Sequence, residues 1–99
     1  MRKPKEAVYQ CPCCDYFSLS ARDVWEICYA CFWEDDSARD GHALDIDELD
    51  VVSGNNNGLT LRQARANFIA IGACEPLMLK HVCSKEDREK YRYEAREMK

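Results

Sequence analysis

Histidine is nearly absent from this 99-residue sequence. The two present, His42 and His81, have no partners at metal-ligand spacing, and no serine, histidine and acid set points to nucleophilic catalysis. His42, near Asp40, reads more simply as a surface residue. A long hydrophobic run is also missing. A run such as Phe68-Ile69-Ala70-Ile71 is far short of the roughly 18 residues a membrane span requires. The basic start, Met1-Arg2-Lys3-Pro4-Lys5, leads to Glu6 and then to cysteines rather than to the apolar segment of a signal peptide. The expected location is the cytoplasm, where thiols stay reduced and cysteines serve metals or chemistry rather than disulfides. Positive charge is in deficit. Fourteen basic residues face 18 acidic ones, for a formal net charge of -4 and a pI near 5.1, which disfavours nucleic acid as a partner. The Gly54 to Gly58 loop lacks the Lys-Ser/Thr of a phosphate-binding loop.

What the sequence has is cysteine. Five of its seven cysteines lie within residues 11–31, as Cys11-Pro12-Cys13-Cys14 and Cys28-Tyr29-Ala30-Cys31. Two C-x-x-C pairs, Cys11/Cys14 and Cys28/Cys31, have 13 residues between them, the arithmetic of a two-knuckle metal site. Each knuckle turns the chain so that two thiolates point one way, and two knuckles close a tetrahedron of four sulfurs. Soft sulfur donors suit Zn²⁺ or iron and exclude Ca²⁺ and Mg²⁺. Four ligands leave no open position, so the ion is expected to be structural and single, with zinc first and iron as the alternative. Cys13 lies inside the first loop and can replace Cys14 as ligand. A two-residue spacer favours Cys11/Cys14 and makes Cys13 a spare thiol facing away from the metal. Cys74 and Cys83 read as packing residues. The competing reading is redox: a C-x-x-C dithiol, or rubredoxin-like electron transfer on iron. No enzyme is expected, because a base and an open metal position are both missing.

Apolar residues make up 46% and charged residues 32%, a composition that folds rather than stays disordered. One domain, 1–99, is expected, with a small α+β fold. Residues 8–36 form its zinc-ribbon-like part, with β-hairpins: Tyr16-Phe17-Ser18-Leu19 pairs with Val24-Trp25-Glu26-Ile27 around Ser20-Ala21-Arg22-Asp23. Residues 59–83 form a helical part. Thr60-x-x-Gln63 fits a capping box, Leu61, Ala64, Phe68 and Ile71 make an apolar stripe, and Gly72 sits at the left-handed C-cap. A charged helix over 84–99 starts at Ser84-x-x-Asp87, with Tyr91, Ala95 and Met98 on its docking side. The run Asn55-Asn56-Asn57 reads as loop.

Charge is unevenly placed. Between Glu34 and Asp50 there are eight acids and one base, a local charge of -7. The aromatic pair Phe32-Trp33 adjoins them. Trp33, Glu34, Asp35 and Asp36 are therefore the candidate contact residues for a protein with a basic surface. Trp33, two residues after Cys31, has a second reading as a cover over the metal.

Cys11-Pro12-Cys13-Cys14-Asp15-Tyr16, Ile27-Cys28-Tyr29-Ala30-Cys31-Phe32-Trp33-Glu34-Asp35-Asp36, Asn57-Gly58-Leu59-Thr60-Leu61-Arg62-Gln63-Ala64-Arg65-Ala66-Asn67-Phe68 and Gly72-Ala73 together resemble the small bacterial CPCC cysteine-rich proteins. Asp15 and Tyr29-Ala30 depart from the usual Gly and Pro-Val. The resemblance implies a zinc-ribbon-like protein. It also links the chain to toxins, since some members sit beside contact-dependent toxins. Small cytoplasmic proteins of that kind act as immunity proteins, so the basic partner would be a toxin domain.

Overall fold

Thr60 opens the one long helix among the described residues. The structure is a computed structural model that describes residues 9–21, 25–35 and 49–96. The capping box forms as the sequence predicts: Gln63 N–H donates to Thr60 Oγ1 at 3.1 Å, and Thr60 N–H donates to Gln63 Oε1 at 2.9 Å. Helix α1 runs Leu61–Ile71 and ends at Gly72, whose φ of 84° requires no Cβ strain. Leu61 and Ala64 are buried and Phe68 is half-buried, whereas Ile71 lies at the exposed end of the stripe. Arg65 is buried on the same face, at the i+4 position from Leu61.

The expected β-hairpins are not formed. Among the described residues there is no strand, only four isolated antiparallel bridges: Tyr9 with Leu19, Tyr16 with Tyr93, Ile27 with Glu34, and Ser53 with Leu59. The predicted pairing of 16–19 with 24–27 is replaced by two pairings, each wrapped around one cysteine pair. Tyr9 and Leu19 exchange backbone bonds of 2.9 and 3.1 Å, and Cys28 N–H donates to Trp33 O at 2.9 Å. The physical reason lies in the arms. Only a few residues separate each cysteine turn from the next bend, and Trp25 takes φ +59°, which breaks the extended run. Donors that a hairpin would use go elsewhere: Phe17 N–H donates to Arg92 O at 2.8 Å.

The expected C-terminal helix is also shorter than predicted. Ser84 caps it, accepting from Asp87 N–H at 3.1 Å, but α2 spans only Lys85–Arg88. Tyr91 is buried, and Tyr93 packs on Tyr16 with ring centroids 4.8 Å apart. Residues 91–96 leave the helix and lie along the first cysteine turn, where their carbonyls accept the arm's free donors. Ala95 is exposed, and Met98 lies outside the described residues.

Short 3-10 turns, Gly54–Asn56 and Pro76–Met78, flank α1. The predicted loop around Asn56 has a structural role. Asn56 is 5% exposed, and its side chain accepts from Glu34 N–H at 2.8 Å and donates to Glu34 O at 2.9 Å. A side-chain amide thereby does the work of a neighbouring strand.

The buried cluster holds twelve residues, and six of them are Cys11, Cys13, Cys14, Cys28, Cys31 and Cys74. Leu19, Trp33, Leu49 and Leu61 supply its bulk. With so few large apolar residues at its centre, this core needs a cross-link. No helix among the described residues is long and apolar enough to cross a membrane.

Candidate metal centre

The two knuckles repeat one another bond for bond. Asp15 N–H donates to Cys11 O at 3.1 Å, and Phe32 N–H donates to Cys28 O at 2.8 Å. Cys11 N–H reaches Tyr16 O at 2.8 Å, as Cys28 N–H reaches Trp33 O. The residue after each second cysteine is left-handed, with φ +68° at both Asp15 and Phe32. Within each loop a backbone N–H turns toward the first sulfur: Cys13 N–H to Cys11 Sγ at 3.4 Å, Ala30 N–H to Cys28 Sγ at 3.3 Å. Aspartate occupies the left-handed region readily; phenylalanine does so only when its surroundings hold it there. Phe32 is held by its ring, which stacks on His81 at 4.9 Å, and by the segment Gly72 to Cys83. That segment donates Cys74 N–H to Cys31 O at 2.9 Å and Cys83 N–H to Tyr29 O at 3.2 Å.

The repeat brings four sulfurs together. Cys11, Cys14, Cys28 and Cys31 place their Sγ atoms within 4.8 Å of one another, all buried. Cys11–Cys31 and Cys14–Cys28 are each 3.7 Å apart. A disulfide would be near 2 Å. A tetrahedron with Zn–S of about 2.3 Å has edges of about 3.8 Å, so the donor set fits a single tetrahedral ion. All seven cysteines are free. The four thiols can hold a metal ion, and no other histidine, cysteine or carboxylate among the described residues joins the group.

The surroundings favour thiolate at one sulfur. Desolvation opposes charge on Cys28, but hydrogen bonds from Cys11, Cys14, Cys31 and Ser18 bring it well below the usual thiol range. Ser18 Oγ lies 2.9 Å from Cys28 Sγ. Burial pushes Cys14 and Cys31 well above that range. A metal supplies the positive charge that lets all four deprotonate, so binding releases protons and depends on pH.

The first knuckle carries a second buried layer. Arg65 on α1 donates to both Asp15 oxygens, at 2.7 and 2.8 Å, and to Pro12 O at 2.8 Å. Arg96 donates its backbone N–H to Asp15 Oδ2 at 2.9 Å, its Nε to Oδ1 at 3.0 Å, and Nη2 to Cys11 O at 2.8 Å. Desolvation resists the charge on Asp15, yet these hydrogen bonds and charges hold its carboxyl below the usual carboxylate range. The anionic partners of Arg65 and Arg96 were not evident in the sequence. One signal was available: Arg65 interrupts the stripe Leu61, Ala64, Phe68, a place where a charge must find a partner.

The family comparison covers the region that carries this geometry. Residues 9–89, from the arm before the first knuckle through α2, match the cysteine-rich CPCC family. The chain belongs to that family. No curated protein and no solved structure matches it. In this CPCC protein the family's extra cysteine, Cys13, is 2% exposed and stands where Ala30 stands in the second knuckle. It is a buried core residue, and its sulfur is outside the group of four. Cys74 is buried, its thiol pushed up to about 12 by burial, and Cys83 is half-buried.

Two of the four residues expected to meet a partner are interior. Trp33 is 1% exposed and packs in the core, and Asp35 is fully buried. Glu34 is half-buried, with its backbone tied to Asn56. Asp36 and His42 lie outside the described residues. Trp33 therefore takes its second reading, a core residue of the second knuckle. His81 stacks on Phe32.

Proposed function

We propose that this CPCC protein holds one structural Zn²⁺ at Cys11, Cys14, Cys28 and Cys31, and that the ion staples a small protein-binding module with no catalytic step of its own. The observation that carries the reading is the four buried sulfurs within 4.8 Å, paired at 3.7 Å. Zinc is preferred to iron because a closed structural tetrathiolate needs only a stable, redox-inert ion. A thiol-redox role asks for an exposed, reactive sulfur, and the cysteines of both knuckles are buried. The test is elemental analysis of protein purified under reducing conditions. About one zinc per chain, lost together with cooperative unfolding on chelation, supports the reading; no zinc or iron rejects it.

The binding-module part rests on charge. Eight acids between Glu34 and Asp50 give a strongly negative segment, suited to a basic partner such as a toxin domain, with the protein acting as its immunity factor in the cytoplasm. Since Trp33 and Asp35 are interior, the acids left for this role are Glu34, Asp36 and those from Asp40 to Asp50. Asp45→Asn with Asp47→Asn should slow association with a toxin domain encoded beside the gene and lower its salt dependence. Unchanged association at low salt would remove these acids from the interface.

A further inference from the structure

We infer that Arg65, Arg96 and Arg88 are the counter-charge of the metal centre and match it to a divalent ion held by four thiolates. This rests on the metal reading above. Arg65 and Arg96 side chains are 8% and 6% exposed, and both bind one carboxylate, Asp15. They also donate to the carbonyls of Pro12 and Cys11, inside the first knuckle. Arg88 completes the group. With Arg65, Cys13, Cys14 and Asp15 it lines a cleft of about 170 Å³ that reaches the first knuckle. Its guanidinium lies over the Phe68 ring, 5.0 Å from the centroid. Among the described residues it has no carboxylate partner.

Two buried guanidiniums thus bind one carboxylate and a third, half-buried, lines the adjoining cleft, a local surplus of two positive charges at the first knuckle. The Nε atoms of Arg65 and Arg88 are themselves buried without a hydrogen-bond acceptor. Charge is not buried at such a surplus without compensation nearby. The metal centre whose first knuckle these arginines hold supplies it. Four thiolates on a divalent ion carry a charge of −2, which balances the surplus; on a trivalent ion they carry −1, which does not. The arginines act through the cysteines and the knuckle backbone, so they are positioning and charge-setting residues rather than ligands.

The experiment uses the full chain loaded with iron, whose bound Fe³⁺ takes one electron from the titrant to become Fe²⁺. Nearby positive charge favours the more negative, reduced centre, so it raises the midpoint potential. Arg65→Gln should lower the potential, and Asp15→Asn, which removes the one negative charge and keeps a residue tolerant of positive φ, should raise it. Each shift should correspond to about a tenfold change in the ratio of Fe³⁺ to Fe²⁺ affinity, about 59 mV for one electron. Arg88→Gln should lower the potential by less and serves if Arg65→Gln does not fold. Arg62→Gln, whose partner Asp50 is exposed, should leave it unchanged. A clasp that merely held the chain in place would move Arg65→Gln and Asp15→Asn in the same direction. That outcome, or no shift in either, overturns the counter-charge. Failure of the parent protein to take up zinc or iron would instead overturn the metal reading itself.

Discussion

The two knuckles share one backbone and differ in what holds them. Each places a left-handed residue after its second cysteine, and each directs a loop N–H at its first sulfur. Around the first, the support is charged: Asp15 between Arg65 and Arg96, with guanidiniums on the loop carbonyls. Around the second, the donors to the loop carbonyls are neutral, the backbone N–H groups of Cys74 and Cys83, with the Asn56 amide, Trp33 in the core and Phe32 on His81 beside them. The difference teaches that the knuckle turn is a local solution that either environment can complete. The orphan carbonyls of the turn need donors, and the chain supplies them from side chains at one knuckle and from backbone at the other.

The comparison breaks first if the knuckles do not share the metal. Cys14→Ser and Cys31→Ser, one from each knuckle, should each lose the bound ion and cooperative unfolding, because structural zinc contributes on the order of 10 kcal/mol to such folds. Cys13→Ser should keep the metal, since its counterpart in the second knuckle is Ala30. Metal content and thermal melts check all three. Retention by Cys14→Ser together with loss by Cys13→Ser would show that the first pair is Cys11/Cys13.

The charged support of the first knuckle should have the next largest effect. Arg65→Met removes one partner of a buried ion pair and leaves Asp15 under-compensated, so denaturant unfolding of the metal-loaded protein should show a loss of about 3–5 kcal/mol. A loss below about 1 kcal/mol would mean that Arg96 alone satisfies Asp15.

The neutral support of the second knuckle should be worth less. Asn56→Ala strands the N–H and C=O of Glu34, at a cost of about 1–3 kcal/mol in the same measurement. A cost equal to that of Arg65→Met would erase the contrast between the knuckles.

How far the sequence could be read follows from the range of each interaction. The α1 cap was legible because its bonds join Thr60 and Gln63, three residues apart. The four cysteines were legible because a knuckle is a local turn, so their spacing carries the geometry. The hairpins were misread because extended-looking runs state a preference for β backbone but not a pairing partner. In this chain the donors of Phe17 find Arg92, 75 positions away in the sequence. Trp33 and Asp35 were ambiguous for a related reason: sequence composition suits an aromatic and an acid to a partner or to the core alike, and only packing separates the two.

By itself, the sequence determined the paired cysteine turns, their capacity for a soft metal, and the capped helix that follows them. Each depends on residues within a few positions of one another, where spacing and backbone preference suffice. The tertiary structure decided that the hairpins do not form, that Cys13 and Trp33 are interior, and that Arg65 and Arg96 converge on Asp15 from 50 and 81 positions away. Those outcomes turn on which distant group reaches a buried charge or an unpaired carbonyl first, and no local pattern in the chain encodes that competition.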